Sequence, residues 1–334
     1  MLALWDTTGT EVVHKLAAER RSAGGVASGL ALTLIVIAEE ARVRLVEEAA
    51  AIAASAHPCR LLIVVRDPLG GRSDAPSRLD AEIIVGGRLG PCEGVALRMT
   101  GRLALHAESV VVPLLAPDVP VVTWWSGLPP DRIAYDPLGV VSERRVTDTT
   151  QAPDPLAALR QRAEDYAPGD TDLAWTRITP WRTLVAGALD TALEPVESVT
   201  IAAAPGDPSG ALLGGWLRAR LGVTPTFSAG TPPGVSAVGM RLTDGHEIAL
   251  ERQGGTCMLR RSGYDDRILP LVPRRLGDEV AEELRRLDPD QPYAHALAAA
   301  TGTTGLDTRP HDRVHIWHDP ALAEPEPSGT GAAA

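Results

Sequence analysis

The chain has 334 residues, 44% of them hydrophobic, which suffices for two domains that each bury a core. Aromatic residues are only 4%, so Ala, Val, Leu and Ile must fill those cores. A formal charge of −11, from 32 basic against 43 acidic residues, excludes general nucleic-acid or anionic-membrane binding, both of which need a dense positive face.

Residues 9–22 read as a first helix with Val12, Val13, Leu16 and Ala17 on one side. Asp6, Glu11, Glu19 and Arg20 interrupt any apolar run there, so no secretory signal is expected. Leu30 to Ala38 is a continuous β-rich run of the kind buried on both faces, and far too short to span a bilayer. Glu39 to Ala56 then carries a helical stripe, and Arg60 to Val65 is another apolar strand. Strand, helix and strand in about 35 residues predict a βαβ unit with parallel strands.

Leu79–Val85 and Val95–Thr100 alternate apolar with polar residues and predict a hairpin pair laid against the first sheet. A helix (about Leu103 to Leu115) and a strand ending in Trp124-Trp125 follow, then a short helix and a strand within 137–150. Gln151-Ala-Pro-Asp-Pro155 reads as a linker. Beyond it, helices near 155–166 and 180–191 precede a second βαβ unit: strand Ser198–Ala204, helix Pro208–Leu221 and strand Val223–Phe227. Three strands (Val235–Leu242, Glu247–Arg252, Cys257–Arg261) and a helix over Leu276–Leu287 complete it. The expected fold is α/β, with two mixed α/β domains, each built on a βαβ unit with added antiparallel strands, in an order that a duplication would produce. The first covers 1–150 and the second 151–319, with a Trp-rich connecting helix in 172–191. Residues 320–334 are nearly all Ala, Glu, Pro, Gly and Ser, with almost nothing to bury, and predict a disordered tail.

Motifs for catalysis or ligand binding are sparse. Ala204-Pro-Gly-Asp-Pro-Ser-Gly210 joins strand to helix, where phosphates bind in α/β proteins, but it lacks GxGxxG and GxxxxGK[ST]. Asp207 would repel an anion and explains the turn as an N-cap before Pro208. His311, His315 and His318 have helical metal-ligand spacing, yet their segment alternates like a strand and no carboxylate or thiol motif completes a site. His246-Glu247 begins an HExxH, but Leu250 stands at its second histidine. No GxSxG elbow occurs, and the one lysine, Lys15, leaves little room for Schiff-base chemistry. No metal or cofactor is therefore expected. Cys59, Cys92 and Cys257 form no CxxC pair, so a disulfide framework is not indicated and the expected location is the reduced cytoplasm. Cys59 is either a small core residue or a redox thiol tuned by His57 or Arg60, which would need the fold to bring Cys92 or Cys257 close.

The most informative stretch is Asp172-Leu-Ala-Trp-Thr-Arg-Ile-Thr-Pro-Trp-Arg182. Thr179 reads as an N-cap and Pro180 as a first helical residue, after which Trp181, Leu184, Val185, Ala188 and Leu189 share one face. Trp175, Arg177, Trp181 and Arg182 place two indoles and two guanidinium groups within eight residues, in a chain with 7 Trp and 1 Phe. They are either plugs at a domain junction or anchors for a partner, since buried Trp and Arg dominate interface energetics.

This stretch resembles the tryptophan-rich motif of the glucose-6-phosphate dehydrogenase assembly protein (OpcA) family in its actinobacterial form. His57-Pro-Cys-Arg-Leu-Leu-Ile-Val-Val65, Pro120-Val-Val-Thr-Trp-Trp125 and Glu282-Glu-Leu-Arg-Arg-Leu-Asp-Pro-Asp290 resemble other segments of that family, and the likeness runs from about Thr7 to about Ala300. The resemblance implies a non-catalytic assembly factor and activator that binds glucose-6-phosphate dehydrogenase, with Trp124, Trp125, Trp175, Arg177, Trp181 and Arg182 as candidates at or behind the interface. The family includes redox-responsive activators, which bears on Cys59. The alternative is a sugar-phosphate- or nucleotide-binding protein or enzyme with a site at the strand carboxyl ends, where Arg60, Arg177 and Arg182 would clamp a phosphate.

Overall fold

In a computed structural model, the structure describes residues 1–22, 29–66, 76–86, 92–190 and 192–310. The first elements are β1 (Leu2–Leu4), α1 (Gly9–Ser22), β2 (Leu32–Ala38), α2 (Val43–Ala56), β3 (Cys59–Arg66), β4 (Arg78–Val85) and β5 (Glu93–Thr100). There follow α3 (Ala107–Val111), β6 (Val121–Trp125), α4 (Pro137–Val140), β7 (Arg144–Thr147), α5 (Pro155–Asp165) and β8 (Asp170–Asp172). Next come α6 (Leu173–Arg177), α7 (Thr179–Leu189), β9 (Val196–Ala203), α8 (Pro208–Leu221), β10 (Thr226–Ala229), β11 (Val235–Leu242) and β12 (Glu247–Gln253). The last are β13 (Thr256–Arg261), β14 (Arg267–Pro270), α9 (Leu276–Leu284) and α10 (Gln291–Thr301).

Eight strands form the first sheet, in the order β1-β4-β5-β3-β2-β6-β7-β8. The six from β5 to β8 are mutually parallel, and counted along the chain they lie 3-2-1-4-5-6. That is the order of doubly wound sheets, whose ligand crevice opens where the order reverses, here between β2 and β6. The apolar run of β2 explains its central place: all seven residues are buried, because helices cover both faces. Val43, Val46, Ala50 and Ala53 of α2 pack on one face with Leu34, Val36, Leu61 and Ile63. Val12 and Leu16 of α1 and Val110 and Val111 of α3 pack on the other with Ile35, Ile37, Leu62 and Val64.

Both predicted βαβ units are present, β2-α2-β3 and β9-α8-β10, each with parallel strands. The fold is two-sheet α/β, as expected, but the sheets differ in composition. The second, β10-β9-β11-β12-β13-β14, has one parallel pair and is otherwise antiparallel. Its four inner strands alternate buried with more exposed residues, because α7, α8 and α10 supply a core on one face only.

Several local expectations are corrected. β4 and β5 do pair antiparallel, yet they extend the first sheet instead of lying against it, which buries most of β5 between β4 and β3. Glu40–Arg42 is a 3-10 turn, with the α-helix starting only at Val43, and the 103–115 helix is broken into 3-10 segments around α3. Ile178, not Thr179, occupies the cap position of α7 and makes no side-chain cap bond; the Thr179 hydroxyl instead accepts from Arg182 Nη2 at 2.8 Å.

The chain also crosses the expected linker at 151 twice. After α5 it returns to add β8 to the first sheet, and far downstream α9 packs on α2, with Val280 and Leu284 in the first sheet's core. The approach of α9 is close: a Cβ on Gly277 would lie 2.6 Å from Ile52 Cβ and 2.8 Å from the Ala49 carbonyl oxygen. Gly277→Ala must therefore push α9 off α2. Urea unfolding should show a loss of about 1–3 kcal/mol, the usual range for overpacking, with an unchanged m-value.

Candidate functional site

The Trp-rich stretch leaves the first sheet at β8 and enters the second core at α7. Asp172, fully buried at the end of β8, holds this departure in place. Its carboxylate caps α6 by accepting from the Ala174 N–H at 2.9 Å, and also accepts from Thr147 Oγ1 (2.8 Å), the Thr149 N–H (2.9 Å) and Thr149 Oγ1 (3.1 Å). Burial, with neighbouring Asp148, pushes this carboxyl above its ordinary value, and the donors oppose that rise.

One turn later, Arg177 closes the junction. Nη1 and Nη2 donate to the two oxygens of Asp148 at 2.7 and 2.8 Å, while Nε donates to Glu279 at 3.0 Å. Asp148 follows β7, and Glu279 lies on α9, so one guanidinium joins three elements distant in sequence. Burial alone would raise Asp148, but Arg177 outweighs it and holds the carboxyl below its ordinary value. Glu279 remains raised, because burial there exceeds the pull of the same cation. Next to it, Thr176 Oγ1 and Arg144 Nη2 both donate to Glu283 of α9.

Trp175 is 1% exposed, and its Nε1–H donates to Asp290 at 2.9 Å. Asp290 also caps α10 by accepting from the Tyr293 N–H, and the Trp175 and Tyr293 rings are 5.8 Å apart at 52°. The Arg182 guanidinium stacks 3.5 Å from the centre of the Trp175 ring. Burial lowers Arg182 to about 10, against the attraction of Asp290 and Glu283. Thus Trp175, Arg177, Trp181 and Arg182 come together at the junction, with the indoles inside and the two guanidinium groups half-buried. Trp124 and Trp125 are separate from them. Strand alternation sends the first into the α2-side core and the second into the α1-side core, both 1% exposed.

A cleft of about 700 Å³ opens beside Arg177, between the two sheets. Its walls are Thr150 and Gln151 beyond β7, Trp181, the start of α8 at Asp207 and Ser209, the 231–235 loop, and residues 271–274. Asp207 caps α8 as expected, accepting from the Ser209 N–H at 2.7 Å. Arg252 turns both terminal nitrogens onto the Thr231 and Pro233 carbonyls. Arg60 is not in this cleft: it starts β3 at the opposite end of the sheet, buried against Glu93 and the Leu114 carbonyl. In the β2–β6 crevice, Glu39 and Glu40 follow β2 in place of a glycine-rich loop, and Glu39 Oε1 is 3.5 Å from where a Cβ on Gly127 would be. This charge opposes a phosphate at that position.

Cys59 lies fully buried, and its backbone N–H donates to Cys92 Sγ at 3.3 Å, so the fold does bring a second thiol to it. Nothing in the sequence separation announces this; it follows from β3 and β5 being neighbours. Hydrogen bonding between the thiols raises Cys59 and lowers Cys92 to about 6. Among the described residues, no group of three or more His, Cys, Asp or Glu could hold a metal; His311, His315 and His318, and the tail, lie outside them.

Removing the Arg177 cation isolates two buried carboxylates. Arg177→Met should therefore destabilise the protein by about 3 kcal/mol at pH 7. Asp148 contributes stability above its unfolded value and loses it as pH falls through its lowered folded value, whereas the variant's orphaned carboxyls favour their protonated forms. The stability gap between variant and wild type should hence narrow as pH falls from 7 toward 5, followed by urea titration. Because Cys59, Cys92 and Cys257 are all buried, native protein should resist iodoacetamide at times that fully label the unfolded chain.

Residues 50–164 match the family model described as glucose-6-phosphate dehydrogenase subunit N-terminal domain, and residues 168–297 match its C-terminal counterpart. Among curated proteins, the OpcA protein of Synechococcus elongatus is 31% identical over 144 residues, which is 40% of this chain and 32% of that protein. The OpcA proteins of Synechocystis (27% over 194 residues) and Nostoc punctiforme (30% over 139 residues) cover 54% and 39% of this chain. These alignments span 41% and 30% of those two relatives' own lengths. The break between the two models, at 165–167, falls between α5 and β8, where the path turns back to the first sheet. The chain belongs to the OpcA family.

Proposed function

We propose that this chain is a non-catalytic partner of glucose-6-phosphate dehydrogenase in the cytoplasm, one that binds the dehydrogenase and raises its activity in the oxidative pentose phosphate pathway. The observation that carries this reading is the succession of two dehydrogenase-subunit family models over residues 50–297. The acidic β2–β6 crevice agrees with it, since Glu39 and Glu40 oppose the phosphates of a nucleotide cofactor. The Trp/Arg junction then has a supporting role: its indoles fix the relative placement of the two sheets and so shape the outer surfaces a partner meets. Activation follows if the bound surface fits the active conformation or oligomer of the dehydrogenase better than the inactive one. The shift can be no larger than that difference in affinity.

The test is a titration of the cognate dehydrogenase with this protein, following NADPH formation across glucose 6-phosphate concentrations and complex mass by light scattering. A saturable rise in rate together with a larger complex is expected. Two species that stay separate, at an unchanged rate, would sink the proposal.

The 700 Å³ cleft favours a second reading, a sugar-phosphate or nucleotide ligand. Two of its arginines, Arg177 and Arg252, already serve carboxylates and carbonyls, which weakens that case. A thermal-shift series with glucose 6-phosphate and NADP decides it: a true ligand at a hundred times its dissociation constant adds about 2.7 kcal/mol, and a flat series removes the reading.

A further inference from the structure

A sheet edge presents unpaired N–H and C=O groups, and proteins ordinarily blunt it with charge or proline. The second sheet has two edges. β14 is blunted in this way, carrying Arg267 and Pro270. β10 is not: it reads Thr226-Phe-Ser-Ala229, uncharged and without proline, and all four residues are exposed. Among the described residues, β9 is the one strand paired with it.

The parallel ladder to β9 decides which groups are left over. The Gly230 N–H donates to the Ala203 carbonyl at 2.7 Å. Bonding direction alternates along a strand, so Thr226, Ser228 and Gly230 turn their backbone groups toward β9. Phe227 and Ala229 turn theirs outward, to the free edge. The side chains of these two lie on the α8 face, where a Cβ on Gly214 would fall 2.6 Å from the Phe227 ring. Even so, Phe227, the one phenylalanine of the chain, is 59% exposed. Beside it a cleft of about 400 Å³ opens over Ala229, walled by Gly210 and Ala211 of α8 and by Leu156 of α5.

These features complement a copy of themselves. Antiparallel pairing of two such edges needs Phe227 and Ala229 as the hydrogen-bonding residues of both strands. About a two-fold axis at Ser228, Phe227 of each copy meets Ala229 of the other and exchanges both backbone bonds with it. Its ring then enters the cleft over that alanine. The α8 helices fit the same axis. Gly210 lies over Ala203, the register partner of Ala229, and Gly214 lies over Phe227, so Ser228 is level with the middle of that interval. The flank of α8 toward the free edge carries Asp207, Ala211, Gly214 and Arg218, at i, i+4, i+7 and i+11. Turned about the axis, two such flanks run antiparallel with small residues at their centre, which permits close helix packing. Asp207 at the start of each helix then faces Arg218 near the end of the other.

We propose that β10 is a homodimer contact, in which two copies of this chain pair their free edges antiparallel about Ser228 and join their second sheets into one. The proposal goes beyond the dehydrogenase reading and does not depend on it.

The experiment has two parts, both on the full chain. Sedimentation velocity over a concentration series compares wild type with Ala229→Pro, Arg218→Glu and a control on the other edge, Ile268→Lys. Proline at 229 removes an N–H that bonds nothing within one copy, and Arg218 and Ile268 are exposed, so each variant keeps its fold, which urea unfolding checks. A wild-type dimer is expected, with its dissociation constant raised about tenfold or more by Ala229→Pro. Arg218→Glu should raise it more at low salt than at high salt, and the control should match wild type. Single cysteines then fix the register under diamide, the three native ones being buried. Ser228→Cys sets like residues across the axis at about 4.5 Å between Cα atoms, the spacing of a non-hydrogen-bonded pair and within disulfide reach. It should give a covalent dimer, whereas Thr226→Cys, whose counterpart lies further along the opposite strand, should not. A monomeric wild type, a dimer untouched by Ala229→Pro, or equal cross-linking at 226 and 228 would overturn the proposal.

Discussion

The Arg177 guanidinium is a central tie between the two halves of this protein. Arg177 lies between Asp148, at the end of a strand in the first sheet, and Glu279, on a helix that reaches that sheet from residue 276 onward. Either carboxylate alone in that environment would favour release into water, and together they would repel one another across the seam. With the cation between them, the same charges draw the β7 loop, α6 and α9 together. Asp172 performs a similar service without a cation, since hydroxyl and backbone donors from β7, the following loop and α6 surround it. Buried ionic groups are poor sources of net stability but good at specifying one arrangement over others, and here the arrangement specified is how the two sheets meet.

The six-stranded parallel order would ordinarily suggest nucleotide chemistry, and the charge at its first strand-to-helix turn runs against that suggestion. A dinucleotide site needs close backbone approach and a positive helix end at the first strand-to-helix turn. The chain puts Glu39 and Glu40 there, and a 3-10 turn delays the α-helix until Val43. The architecture is kept while the glycine-rich first turn of a dinucleotide site is not, a reminder that function resides in sites and not in strand order.

Much of this was legible in the residues. The apolar runs of β2 and β3 announced themselves because strands covered on both faces need no polar alternation, and both βαβ units followed from element spacing. The helix carrying Trp181, Val185 and Ala188 was equally clear from its periodicity. What stayed hidden has physical reasons. β8 is Asp-Thr-Asp, a buried strand whose two carboxylates are satisfied by caps, hydroxyls and an ion pair that only the tertiary fold supplies. β1 and β14 are edge strands of three and four residues with no pattern long enough to detect. The candidate site was half legible: the Trp/Arg density marked the junction correctly in sequence, but whether the indoles face inward or outward depends on α9 and α10. The thiol pair arises from β5 lying beside β3, a neighbour relation that spacing along the chain does not encode.

The return of α9 to the first sheet has a consequence for how the molecule is made. Synthesis runs from the amino terminus, and domains generally begin to fold as they emerge. Here the sheet begun at Leu32 lacks the helix that completes the packing around α2 until residues 276–284 have left the ribosome, when most of the chain is already outside. Until then, part of the apolar surface of α2 and Leu173 stays open to solvent or to chaperones. The first half to be translated is thus among the last to be finished, and the nascent protein must stay soluble for that interval without its own closing helix.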